Sequence, residues 1–262
     1  MKNLKKLLLI CFPVLMTAQT QTENYIKTVT YKTASTTKIT APTISQAAQN
    51  ITYFDGLGRP KQKVSYQQSA SGKDLVTLIE YDGLGRQTKE YLPYASSQTN
   101  GSYIDPTTLL TNVTAQYQAK YGTVNANPFS EKKIESSPLN RVLQQGAPGS
   151  DWTLASGHTV KFDYNANAAN EVKKYYVTTT WTAGSGLYEI ALGNGAGTTF
   201  YGAGQLYKNI IYDENTAANP TEAAGSTVEF KNKEGQVVLK RTYDAGVKHD
   251  TYYVYDIHRK LT

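Results

Sequence analysis

The chain is poor in the residues that most often carry chemistry. Its 262 residues include one cysteine, two tryptophans, two methionines and three histidines. A lone cysteine, Cys11, excludes an intrachain disulfide and a cysteine-based zinc site. Stability must then come from burial and backbone pairing. Long hydrophobic runs are scarce as well. The one at the start, residues 7–16, contains Pro13 and is about half the roughly twenty residues that a membrane-spanning helix needs.

That short run has a different layout. Lys2, Lys5 and Lys6 precede it and Thr17-Ala18-Gln19 follows, the arrangement of a secretory signal peptide over residues 1–18. Ile10 stands before Cys11, where a lipoprotein would carry a small residue, so lipid attachment is not expected. The expectation is an exported chain, secreted or on the cell surface, with no integral membrane segment after cleavage. Strong charge is also missing. The net +6 falls to +3 when the three leader lysines are subtracted, and the other basic residues are scattered. A nucleic-acid surface would show a basic stripe, so no nucleic-acid partner is expected.

Tyrosine is abundant: 21 residues against six phenylalanines, accompanied by 20 glycines. This favours half-buried strands joined by tight turns, because a tyrosine ring packs while its hydroxyl reaches water or the main chain. Internal repetition is the strongest signal. Phe54-Asp55-Gly56-Leu57-Gly58-Arg59 recurs as Tyr81-Asp82-Gly83-Leu84-Gly85-Arg86. Both copies lie between alternating runs, with Leu75, Thr77, Ile79 and Tyr81 before the second and Thr88, Glu90 and Leu92 after it, so each reads as a β-hairpin. The glycines supply backbone positions that accept positive φ, and the aspartate caps nearby amides. Arg86 has two partners within reach, the Tyr81 ring and Asp82.

Weaker copies follow. Residues 230–236, with Val237-Val238-Leu239 after them, read as a variant one residue longer. Tyr255-Asp256-Ile257-His258-Arg259-Lys260 keeps the first two residues and places Arg259 where the second glycine stood. Pro138-Leu139-Asn140-Arg141 reads as a degenerate turn. The last copy ends just past its turn, and the expectation is the front portion of a longer protein.

Hairpins on Tyr-Asp-x-x-Gly-Arg resemble the YD repeats of bacterial RHS proteins. Further segments extend the likeness: residues 51–59, 81–94, 127–132, 137–142 with Gly146-Ala147-Pro148-Gly149, and Gln205-Leu206-Tyr207-Lys208. Together they resemble the uncharacterised N-terminal domain that precedes the RHS repeats in secreted bacterial proteins. The resemblance implies a structural role. RHS repeats coil into a β-shell that often encloses a C-terminal toxin or effector, so the implied partner is the downstream repeats and effector of the same polypeptide.

The fold expected is mainly all-β, an antiparallel meander of YD-type hairpins with one short helical insertion. Residues 19–104 form a β region with two such hairpins, residues 105–150 a helix and a proline-rich connection, and residues 151–262 a second β region running into further repeats. The helix is placed at residues 106–121 by the spacing of Leu109, Val113, Gln116, Tyr117 and Lys120, with Gly122 as its stop. Residues 33–49 read as a linker or an irregular edge. Strands are expected at 159–164, 174–182, 186–192, 205–212 and 227–230.

Catalysis is not expected. His158 and His249 lie near turn-like glycines and His258 inside a repeat turn, with no metal-ligand spacing between them. No Gly-x-Ser-x-Gly elbow is present. Gly193-Asn194-Gly195-Ala196-Gly197 lacks the Lys-Ser/Thr of a phosphate loop and reads as a hairpin loop, so no cofactor is expected. Asp55, Asp82 and Asp256 share one placement at turn starts, which points to capping and away from acid–base or calcium chemistry. The second functional reading is a surface glycan partner, with Trp152 and Trp181 stacking on sugar rings; the plainer reading places both in the core or on a sheet face.

Overall fold

A computed structural model describes residues 22–37, 39–194 and 199–262. The leader at 1–18 and Gly195 to Gly197 of the glycine-rich loop lie outside these residues. The described chain is mainly β, built from antiparallel strands with one α-helix. It divides into two compact units, one running to Thr123 and the other from Val124 to Thr262.

The first unit holds β1 (Asn24–Tyr31), β2 (Ala47–Phe54), β3 (Pro60–Ser65), β4 (Leu75–Leu78), β5 (Lys89–Tyr91), β6 (Tyr94–Ala95) and α1 (Pro106–Tyr121). Its five-stranded sheet runs in the order β1-β2-β3-β4-β6. Period-two alternation buries Ala47, Ile51 and Tyr53 on one face of β2, and Val64 continues that face on β3. The helix adds Leu109, Val113 and Tyr117, spaced four apart on one side. Asp105 caps it by accepting from the Thr107 and Thr108 amides, and Gly122 ends it at φ 65°.

Polar side chains in this core bind the loop that leads into α1. Asp74 is fully buried and accepts from the Gln67 and Gly101 amides, both at 2.8 Å. Gln62, also fully buried, exchanges two hydrogen bonds with the Ile104 main chain. Tyr53 donates to the Gly101 carbonyl at 2.6 Å. Together they fix the connection into α1, which has no apolar side chain at Gly101 to pack there.

The second unit contains β7 (Phe129–Ile134), β8 (Val142–Gly146), a 3₁₀ turn (Ser150–Trp152), β9 (Val160–Ala166), β10 (Tyr175–Thr182), β11 (Leu187–Asn194), β12 (Tyr207–Tyr212), β13 (Thr227–Lys231), β14 (Val237–Asp244) and β15 (Val247–Tyr252). Its large sheet runs β15-β14-β13-β12-β9-β8-β7, while β10 and β11 form a separate two-stranded ribbon. Val172, Leu206, Ile210, Val228, Phe230 and Leu239 make its core.

The helix occupies the residues its spacing predicts, and strands occur near each expected position from Val160 onward. Two readings differ. The proline-rich stretch taken as a connection contains the β7–β8 hairpin, because Pro128 and Pro138 fall outside the paired residues and leave the ladder intact. The second repeat does not sit in a simple hairpin either. The neighbour of β4 after the turn is β6, paired Leu75↔Ala95 and Val76↔Tyr94, and β5 is not interposed.

Candidate functional site

The repeat residues build one hydrogen-bond circuit several times. In the first copy the Gly58 amide donates to the Asp55 carbonyl at 3.0 Å, and the Asp55 amide donates to the Arg59 carbonyl at 2.9 Å. Asp55 Oδ1 accepts from the Leu57 and Arg59 amides, and its Oδ2 accepts from Arg59 Nε at 2.8 Å. Asp82 does the same with Gly85, Leu84 and Arg86, every bond between 2.8 and 2.9 Å. This is a type I turn followed by a left-handed residue that forms a bulge. Only the second glycine of each pair needs positive φ, 77° at Gly58 and 76° at Gly85; Gly56 and Gly83 do not adopt it. The circuit holds the Asp55 and Asp82 carboxyls below the ordinary carboxylate range, through the amide hydrogen bonds from Arg59 and Arg86 first.

Three further turns repeat the pattern with substituted parts. Asn232 replaces the aspartate, accepts from the Glu234 and Gln236 amides, and is closed by Gly235 at φ 83°. This corrects the reading of a longer variant: the turn begins at Asn232 and has the same length, with a register shift at Phe230/Lys231 matching that at Tyr53/Phe54. Asp256 accepts from the His258 and Lys260 amides, and Arg259 itself takes the left-handed φ of 64°. In Ser137–Arg141 the serine is too short to hold the arginine. Glu135 does so instead, at 2.9 and 2.8 Å, and its carboxyl is drawn down to about 2, chiefly by Arg141.

A second recurring contact, which sequence reading missed, joins a tyrosine to the residue just after an earlier turn. Tyr81 donates its hydroxyl to the Pro60 carbonyl at 2.9 Å, and the Arg59 guanidinium lies 4.5 Å over the Tyr81 ring. Tyr164 donates to the Val142 carbonyl at 3.0 Å, and Arg141 lies 4.8 Å over its ring. Tyr255 donates to the Val237 carbonyl at 3.1 Å, and Gln236, in the position of Arg59, reaches the Arg259 carbonyl. In each case the acceptor is the residue just after the earlier turn. For Tyr81 and Tyr255 the signal available in the sequence was the tyrosine preceding aspartate, whose ring and hydroxyl needed a partner in the turn before it; Tyr164 stands within β9 before Asn165 and carries no such mark.

The two tryptophans have separate surroundings. Trp152 contacts the His158 ring edge-on at 5.8 Å. Trp181, on β10, contacts Tyr188 of β11 at 5.0 Å, and both rings are more than half exposed. The remaining charged cluster lies on the second unit's sheet. Lys208 Nζ sits between Glu171 at 2.5 Å and Glu222 at 2.6 Å, and Arg241 holds Asp250 through two bonds of 2.7 and 3.0 Å. Tyr243 donates to Glu222 at 2.6 Å, and burial pushes its hydroxyl up to about 12. Each charge here already faces an opposite one. Among the described residues no three His, Cys, Asp or Glu side chains converge as metal ligands would, and no helix is long and apolar enough to cross a membrane.

The structure thus defines a β-hairpin module whose distinctive residues stabilise turns and dock one turn on the next. Residues 27–166 match the family described as a domain of unknown function, DUF6443, and the chain belongs to that family. The match covers the turns at Asp55, Asp82 and Ser137 and stops before those at Asn232 and Asp256. No curated protein matches the chain.

Proposed function

We propose that the chain is a non-catalytic structural module of an exported RHS/YD-repeat protein, contributing its hairpins to a β-shell that encloses or presents a C-terminal effector. The observation that carries this reading is the tyrosine contact to the residue just after a turn, made three times with the same acceptor position and twice by the tyrosine that opens a later Tyr-Asp turn. The turn aspartates support it too. Their oxygens are occupied by amides and arginine, which suits capping and leaves them poorly placed to exchange protons with a substrate. Mass spectrometry and limited proteolysis of the native polypeptide carrying these residues test it. A protease-resistant body that joins this module to a β-repeat shell is expected. The module found alone, with no associated repeats, contradicts it.

A glycan-binding role is favoured by a different observation, the exposed Trp181–Tyr188 pair on the β10–β11 ribbon. Binding on a glycan array that is lost in Trp181→Ala and kept in Tyr81→Phe would establish that role.

A further inference from the structure

The β10–β11 ribbon is inserted between two neighbouring strands of the large sheet, β9 and β12, and among the described residues it pairs with neither. Its cross-strand pairs alternate between two faces. One face carries Tyr175, Val177, Trp181, Tyr188, Ile190 and Leu192, and the last four are 54–67 % exposed. The opposite face carries Thr178, Thr180, Thr182 and Glu189, with Leu187 near the tip and Tyr176 lying against Gly193. Glu189 is the only charged side chain between Tyr175 and Asn194, and it stands on the face away from Trp181. Two exposed lysines, Lys173 and Lys174, stand at the root of β10.

We infer that this ribbon lies on a lipid bilayer, with its apolar face in the interfacial layer and Lys173 and Lys174 against lipid phosphates. The charge distribution carries the inference: an uncharged face adjoins a basic root, and the one carboxylate is turned to water. Trp181 and Tyr188 are the residue types whose rings settle at headgroup depth, apolar body inward and polar edge outward. Spanning is excluded. Among the described residues the outer edges of β10 and β11 have no partner strand, and hydrocarbon offers their amides and carbonyls none. Lying flat keeps both edges in the hydrated headgroup layer. A second copy of the chain is a poor occupant. Each strand has eight residues. The face therefore measures roughly 26 by 10 Å, a footprint of roughly 260 Å² where a stable complex uses about 800 Å² per partner. A sugar fits only part of the face, since Ile190 and Leu192 offer its hydroxyls no hydrogen bonds. The inference goes beyond the repeat-protein reading and does not depend on it.

Trp152→Phe leaves Trp181 as the one tryptophan of the full chain, so its emission reports the ribbon and not the apolar run at 7–16. The probes are vesicles of phosphatidylcholine alone or with phosphatidylglycerol, carrying brominated acyl chains. Trp181 emission is expected to move to shorter wavelength and to be quenched by the bromines. Ile190→Ser combined with Leu192→Ser spares the core, because both positions are exposed. The pair is expected to raise the lipid concentration for half-quenching by about 10-fold or more, since two aliphatic side chains no longer leave water. Lys173→Gln combined with Lys174→Gln is expected to raise it by about 5- to 30-fold with phosphatidylglycerol and to leave phosphatidylcholine unaffected. Quenching measured with Trp152 retained, on the fraction that the Ile190 and Leu192 changes abolish, keeps the answer independent of the Trp152 substitution. Absence of quenching overturns the inference, as does quenching that either pair of substitutions leaves unchanged. So does a dimer in sedimentation that the Ile190 and Leu192 changes dissolve, or a glycan-array signal lost in Trp181→Ala without vesicle binding.

Discussion

Gly58 and Gly85 adopt the same left-handed backbone but differ in their surroundings. At Gly58 a Cβ would meet open space, whereas at Gly85 it would sit 3.1 Å from Arg59 Nη1 of the preceding turn. Gly58→Ala should therefore cost about 1–2 kcal/mol of stability, the penalty for a left-handed L-residue. Gly85→Ala should cost more and should also disturb the Arg59–Tyr81 contact. Gly56→Ala, with no positive φ and open space, should be nearly neutral; denaturant unfolding of the three variants checks the ranking. Ala245 is the opposite case. It holds φ 47° beside Gly246 at φ 80° in the β14–β15 turn, where a residue tolerant of that conformation belongs. Ala245→Asn should stabilise the chain by roughly 0.5–1 kcal/mol, read as a higher midpoint of unfolding.

Among the elements, the helix and the turn motif were legible because each is a local pattern. Leu109, Val113 and Tyr117 at helical spacing, and Asp-Gly-Leu-Gly-Arg twice over, state their structures in a few neighbouring residues. The β7–β8 hairpin was not legible, because its arginine clamp comes from Glu135, two residues ahead of the turn that Ser137 opens. The burial of Asp74 and Gln62 was equally hidden. Their partners, Gly101 and Ile104, are contributed by a loop 27 and 42 residues away, and nothing local marks them. The candidate site followed the same divide: Asp55, Asp82 and Asp256 were found at their turns, but the tyrosine contacts joining turns are long-range. The helix cap gives a local prediction. Asp105→Ala removes the acceptor for two amides and should cost about 1 kcal/mol.

Across the whole molecule, stability should narrow from both ends of the pH scale. On the acid side the turn carboxyls and Glu222 are held below their ordinary values, Glu135 from 4.5 down to about 2. Groups depressed in the folded state contribute above their unfolded value, and that contribution is lost as pH falls through the folded one. Acid weakening should thus begin near pH 4.5 and be complete for Glu135 only near pH 2. On the alkaline side Tyr212 and Tyr243 are pushed up from 10 to about 12, by burial first and then by Asp163 and Glu222 respectively. Raised groups contribute fully below pH 10 and lose that contribution as pH rises toward 12, so a second loss belongs in that window. Circular-dichroism melts across pH check both limbs.

The claim that turns dock serially on one another is tested most directly by a double-mutant cycle at the first junction. Arg59→Ala, Tyr81→Phe and the double variant would be compared by equilibrium unfolding, followed by the same cycle with Tyr81→Ala to remove the ring. Serial docking predicts a coupling of about 0.5–1 kcal/mol with the ring removed, and a smaller one when only the hydroxyl is lost. Strict additivity in both cycles would contradict it.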